Sequence, residues 1–192
     1  MTHTFEFEHR HRLDTSERRR ILPPEPILRK LGLKEGMTMA DIGCGTGYFT
    51  FPAATIAGPQ GFVWGADIEP RFIEENERRA KHMNIMNIRF FVSGRTEVPL
   101  NGATVDAALA SIVFHELGDD DKEAYLRELG RIIRPDGTIW VIEWKKDKAV
   151  MGPPFEERLG PEDIKSFAGA AGLRVRNVDD LSPSHYAVTL HK

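Results

Sequence analysis

The chain has 192 residues, 41% hydrophobic and 29% charged, which suits one soluble domain and is too short for two full α/β domains. Its 26 Lys and Arg against 29 Asp and Glu leave a formal charge of −3, without the overall basic bias of many nucleic-acid binders. The single cysteine excludes an intrachain disulfide and a zinc site built on several cysteines, and no apolar run nears the ~18 residues of a membrane span. Glu6, Glu8, His9 and Arg10 stand where a secretion signal would be apolar, so a cytoplasmic protein is expected.

Residues 1–32 read as an appendage, made locally basic by Arg10, Arg12, Arg18, Arg19 and Arg20 and punctuated by Pro23, Pro24 and Pro26. A short helix is predicted over 25–31, with Ile27, Leu28 and Leu31 on one face and Gly32 as its stop. A strand over 37–42 then leads through a glycine cluster into a helix over 49–57. An apolar run over 62–66 reads as a buried strand. Residues 70–84 place Phe72, Ile73, Asn76, Ala80 and Met83 on one helical stripe. Strands are predicted over 88–92 and 105–114, and a helix over 119–133 with Asp119, Asp120 and Asp121 capping it and complementing its dipole. Pro135-Asp136-Gly137 reads as a turn before a strand over 138–144. A helix over 161–171 and strands over 173–178 and 185–190 complete the chain.

This alternation argues for a mostly parallel sheet of seven strands with helices on both faces. The link at Ser182-Pro183-Ser184 is too short for a crossover helix, so the last two strands form an antiparallel hairpin.

The most informative segment is Asp41-Ile42-Gly43-Cys44-Gly45-Thr46-Gly47, where the first strand meets the first helix of the sheet. In open α/β sheets ligands bind outside the carboxyl ends of the strands. Glycines at every second position let the backbone approach a ligand with no Cβ in the way. Asp67, at the end of the second strand, is placed to accept two ribose hydroxyls. The spacing is not that of a dinucleotide loop, and no lysine follows the last glycine as in a phosphate loop. Asp41 would repel a pyrophosphate but suits a cation. S-adenosyl-L-methionine, with its sulfonium, amino group, ribose and adenine, fits better.

The glycine segment resembles motif I of class I S-adenosyl-L-methionine-dependent methyltransferases. The resemblance continues through Gly65-Ala66-Asp67-Ile68-Glu69-Pro70, Val105-Asp106-Ala107 to His115-Glu116-Leu117, and Leu129-Gly130-Arg131-Ile132-Ile133-Arg134-Pro135-Asp136-Gly137. It spans roughly residues 36–192 in matching order. The sequence is similar to the small ubiquinone/menaquinone-biosynthesis (methyltransferase type 11) group. It implies a Rossmann-like fold, with 1–32 as a basic appendage able to close as a lid and 33–192 as the cofactor-binding domain. Asp41 would hold the methionine amino group, and Gly43, Cys44, Gly45 and Gly47 would line the methionyl part. Asp67 would bind the ribose, Ile68 the adenine, and Ser111 would lie near the sulfonium. The family often has an acid after the third strand for the adenine amino group; here Arg95 stands near that place, leaving Glu97 or a backbone carbonyl for the contact.

His115 and Glu143 follow the fourth and fifth strands on the active edge, and His115 is the first candidate for a general base, Glu143 the second. Trp144 could pack on a flat substrate, and Met151-Gly152-Pro153-Pro154-Phe155 sits in a loop long enough to face substrate. Either His185 or Tyr186 points toward the site. Cys44 reads as a small loop residue rather than a nucleophile, and no metal site is expected. The reading is methyl transfer to a small-molecule acceptor. An RNA or protein acceptor and a non-catalytic binding role are the alternatives; a membrane partner is not expected, nucleic acid is disfavoured, and a homodimer is left open.

Overall fold

The computed structural model describes residues 7–147 and 152–192. After a 3-10 turn at Phe7–Leu13 come helices α1 (Ser16–Ile21) and α2 (Pro24–Leu31), strand β1 (Thr38–Ile42), α3 (Thr50–Ala57), β2 (Phe62–Asp67), α4 (Pro70–His82), β3 (Ile88–Val92) and β4 (Val105–Ser111). They are followed by α5 (Asp119–Ile132), β5 (Ile133–Trp144), α6 (Pro161–Ala170), β6 (Arg174–Asp180) and β7 (His185–His191). The strands form one sheet in the order β3-β2-β1-β4-β5-β7-β6. Pairs from β3 through β5 are parallel, and β7 is antiparallel to both β5 and β6. The expected hairpin thus inserts its second strand between β5 and β6.

Both faces of the sheet are covered because its central strands are apolar on both sides. Met39 and Leu109 pack into a layer with α2, α3 and α4. Their neighbours Ala40, Ala108 and Ala110 face the opposite layer, formed with α5 and α6. Side chains alternate across a strand, so one continuous apolar run feeds two cores.

Three local readings change. Strand β4 ends at Ser111, not at 114, because Ile112 adopts a left-handed φ of 58°. This swings Phe114 into the core and turns the chain into a 3-10 turn, Phe114–Glu116. Pro135-Asp136-Gly137 does not precede β5 but lies inside it, absorbed by a register shift against β4. The cap of α5 is Gly118, while Asp119 instead pairs with Lys122 at 2.7 Å.

The appendage expected over 1–32 has two structural parts. Phe7–Leu13 and α1 contain no buried residue. Leu22, Ile27 and Leu28 are buried in the same core as α3 and β1. Helix α2 is therefore integral to the domain's packing. Leu28→Ala is expected to destabilise the fold by about 2–5 kcal/mol, as read by urea denaturation, because it leaves a cavity in a fully buried position. A change within 0.5 kcal/mol or so, typical of surface sites, would mean α2 is merely docked.

Candidate active site

The chain steps outward from β1 to β2 and β3, then returns to place β4 beside β1. Where strand order reverses, connections leave in opposite directions and open a crevice at the carboxyl edge. A cavity of about 950 Å³ occupies it. Its walls include Asp41 near the end of β1 and Gly43, Cys44 and Gly45 after it, Asp67 at the end of β2 and Ile68 after it, Ser111 at the end of β4 and His115 after it, and Trp144 at the end of β5. Arg12, Leu13 and Arg18 of the N-terminal segment add to the wall.

The glycine loop is held by hydrogen bonds on both sides. The Gly43 and Cys44 N–H groups both donate to the Ala66 carbonyl, at 2.8 and 2.9 Å. Asn76 on α4 donates to the Gly45 carbonyl at 2.8 Å. Gly43 has a φ of 80°, and a Cβ there would lie 2.3 Å from Val113 Cγ2. Gly47, expected to line the methionyl part, is not on the cavity wall. It sits behind the loop, where a Cβ would lie 2.6 Å from the Phe51 ring, so its role is steric.

Asp67 accepts from Gly45 N at 2.8 Å through one carboxylate oxygen and from Glu69 N at 3.0 Å through the other. Burial raises its pKa against the lowering effect of those N–H groups. Each oxygen keeps a further lone pair for a ligand hydroxyl. Asp41 accepts from the Thr50 hydroxyl at 2.6 Å. Burial pushes its pKa up to about 7, the Thr50 bond opposing and the Asp67 charge assisting. Cys44 is buried, and burial with two neighbouring carboxylates pushes its thiol well above the ordinary value, away from nucleophilic chemistry. Ile68 is an exposed aliphatic side chain on the wall beside Asp67. The hydroxyls of Ser111 and Thr46, both on the wall, are buried and find no partner among the described residues. Buried polar atoms in native proteins are nearly always satisfied, so these two hydroxyls have hydrogen-bonding capacity left on the cavity wall.

His115 and Glu143 are brought together. Glu143 is fully buried and accepts from His115 Nδ1 at 2.9 Å and from the His115 N–H at 3.1 Å. Burial alone would lower the His115 pKa, but the Glu143 charge and hydrogen bond outweigh it and the net shift is upward. An ionised carboxylate accepts only, so the neutral ring carries its proton on Nδ1 and leaves the Nε2 lone pair free to take one. Glu143 itself is not on the cavity wall, so it reaches the cavity only through the histidine.

Ser93, Gly94 and Arg95 form the wall after β3, whereas Glu97 is not on it. Arg95 pairs with Asp121 at 3.8 Å. Trp144 is not a free platform: the His185 ring packs against it, tilted by 40° with centroids 4.1 Å apart, and Gly152 approaches so closely that a Cβ would lie 2.9 Å from its ring. His185 faces the cavity, while the Tyr186 hydroxyl donates to the Leu159 carbonyl at 2.7 Å. Of the 151–155 loop, Met151 lies outside the described residues; Gly152, Pro153 and Pro154 reach the wall. No cluster of three metal-ligating side chains occurs among the described residues, and none of their helices is long and apolar enough to cross a membrane.

Sequence reasoning missed three contributors. Tyr48 ties the loop to the N-terminal segment through a 2.9 Å bond to the Leu22 carbonyl. Arg18 lies over the Tyr48 ring at 4.2 Å. Asn76 was visible only as a polar interruption of an apolar helical stripe, which was its one available signal.

The sheet order, the glycine loop and the acid after β2 define a class I methyltransferase fold with its cofactor crevice. The chain belongs to the methyltransferase domain family, whose pattern matches residues 39–137. Residues that would meet the cofactor are the right chemistry for S-adenosyl-L-methionine, which is the cofactor of this class. The chain is 26% identical over 145 residues to demethylmenaquinone methyltransferase of Geobacillus sp. (strain WCH70), a match covering 73% of this chain and 61% of the relative. It is 27% identical over 116 residues to the ubiquinone/menaquinone biosynthesis C-methyltransferase UbiE of Pasteurella multocida, covering 60% of this chain and 42% of that protein. The chain thus spans less than two thirds of the length of these curated relatives. A crystal structure of a SAM-dependent methyltransferase from Aquifex aeolicus superposes with a TM-score of 0.91 at 28% identity, covering 97% of this chain and 98% of that one.

Proposed function

We propose that the protein transfers the methyl group of S-adenosyl-L-methionine to a small-molecule acceptor. The observation that carries this reading is one cavity of about 950 Å³ shared by the glycine loop, Asp67 and His115, with part of its wall from the N-terminal segment. Cofactor and acceptor would meet inside it. The names of the two curated relatives, a demethylmenaquinone methyltransferase and a ubiquinone/menaquinone biosynthesis C-methyltransferase, support a small-molecule acceptor.

In this reading Asp67 would hold the ribose hydroxyls, Ile68 the adenine and Asp41 the amino group. The backbone of Gly43, Cys44 and Gly45 would follow the methionyl chain, and the Ser111 hydroxyl would find its missing partner near the sulfonium. The cofactor supplies a methyl carbon already activated by sulfonium. What remains for the chain is alignment and exclusion of water. Leu13, Ile112 and Val113 supply apolar wall. His115 Nε2 takes the proton of an acceptor O–H or N–H, and Glu143 holds the ring and stabilises the imidazolium that forms.

Calorimetry with S-adenosyl-L-methionine tests the binding half. Asp67→Ala should weaken binding by about 10- to 100-fold, since it removes acceptors for charge-assisted hydrogen bonds and frees the loop. Binding should also be linked to protons. A ligand ammonium favours ionised Asp41, whose pKa in the free protein is about 7, so a proton leaves on binding below that pH. Affinity therefore falls as pH drops below about 7, and Asp41→Asn flattens the dependence. No heat of binding, together with an indifferent Asp67→Ala variant, would sink the reading. Release of S-adenosylhomocysteine from fractions of a metabolite pool tests the transfer half.

A further inference from the structure

The cavity contains a second histidine whose surroundings are unlike those of His115. His185, at the start of β7, is buried, and its Nε2 finds no hydrogen-bond partner among the described residues although it belongs to the cavity wall. Its other nitrogen, Nδ1, faces the hydroxyls of Ser184 at 2.9 Å and Ser182 at 3.3 Å. Trp144 packs against the ring at a tilt of 40°, with centroids 4.1 Å apart. The Nε2 edge is what remains for the cavity.

The serines favour one of the two ring tautomers. Ser182 Oγ already accepts from two backbone N–H groups, those of Ser184 at 3.3 Å and His185 at 3.1 Å. A hydroxyl has two lone pairs, so Ser182 can now only donate. Donated directly to the ring, or passed on by the Ser184 hydroxyl, that proton reaches Nδ1 and leaves the ring proton on Nε2, the tautomer adopted in the proposal below. Burial holds the ring neutral, assisted by the charges of Arg18 and Lys145, with a pKa lowered to about 3. A neutral imidazole with one unspent N–H is a fixed donor that cannot become an acid at working pH. Arg18, also on the wall, stands near enough for its charge to act on this ring. An N–H with no partner, on a wall that also carries a guanidinium, calls for a ligand atom that is an acceptor and electron-rich.

We propose that His185 is an acceptor-binding residue, its Nε2–H donating to an anionic or strongly polarised oxygen of a phenolate or enolate on the methyl acceptor, with Arg18 supplying the opposing charge. The two histidines then divide the work: His115 backed by Glu143 takes a proton, and His185 holds the oxygen that carries charge as it leaves. This rests on the small-molecule reading above and names the chemistry of its acceptor.

The test uses the full chain with ¹⁵N-labelled histidine, titrated with 4-nitrophenolate in its ionised form and with nitrobenzene as the analogue lacking the oxygen anion. His185 should show a neutral ring with its proton on Nε2, and that resonance should move on saturation with 4-nitrophenolate and stay still with nitrobenzene. His185→Phe should bind 4-nitrophenolate at least about tenfold more weakly, and His185→Gln, which keeps an N–H donor, should recover part of that loss. A proton on Nδ1, equal affinity for the two probes, no binding of 4-nitrophenolate, or unaltered binding by His185→Phe would each overturn the proposal. Each titration is run with and without S-adenosylhomocysteine. Failure to bind S-adenosylhomocysteine strikes the proposed function, while the phenolate arm still decides the role of His185.

Discussion

On the proposed function, replacing His115 by alanine should lower kcat by about 10²- to 10⁴-fold for an O–H or N–H acceptor and leave cofactor affinity unchanged, the range lost when a positioned general base is removed. The pH profile gives the sharper reading. Only the neutral ring can take a proton, so activity is lost as pH falls through the His115 pKa. That pKa is raised above the ordinary histidine value, because Glu143 outweighs the opposing effect of burial. The acidic limb therefore stands at higher pH than for an unperturbed histidine. Glu143→Gln removes the charge that raises it, so the limb moves to lower pH while kcat also falls. A glutamate that served only to pack the core would change stability without moving the limb. Turnover unaffected in His115→Ala would assign proton transfer to another group, or to a carbon acceptor that needs none.

Gly43→Ala should destabilise the protein by about 2–4 kcal/mol and weaken cofactor binding with it, from two separate sources. An alanine at a φ of 80° costs about 1–2 kcal/mol in backbone strain alone. The new Cβ would also lie 2.3 Å from Val113 Cγ2, so the 3-10 turn or the loop must move. Adding Val113→Ala relieves the overlap but not the strain. Denaturation midpoints of the double variant should therefore recover part of the loss and no more. Full recovery would show that the left-handed conformation of Gly43 is incidental.

Much of the architecture was readable in the chain. The alternation of strands and helices, the insertion point of the glycine loop and the hairpin at Ser182-Pro183-Ser184 rest on local periodicity and turn chemistry, which act over a few residues. The readings that moved are those where backbone conformation overrides side-chain pattern. Ile112 belongs to an apolar run yet has a positive φ, which ends β4 early. Pro135-Asp136-Gly137 has turn composition yet is carried within β5, because pairing with β4 tolerates a bulge.

The site was legible in proportion to how local it is. Asp41, Gly43, Gly45 and Asp67 occupy one loop and the end of the adjacent strand, and their spacing announced a nucleoside-bearing ligand. By contrast, His115 and Glu143 are 28 positions apart and meet because β4 and β5 pair with Ser111 opposite Ile142. The partner chosen by each side chain follows from register, which no local window contains.

By itself the sequence determined a single seven-stranded α/β sheet, a loop with three glycines after the first strand, an acid at the end of the second strand and a lone cysteine within that loop. Tertiary structure alone decided that Glu143 stands behind His115, that His185 rather than Tyr186 enters the cavity, and that Leu22 and α2 belong to the core while Phe7–Ile21 lies over the site. The reason is physical: periodicity and turn residues encode which way a segment folds, whereas burial, protonation and hydrogen-bond choice belong to groups that become neighbours only once the sheet has closed its register.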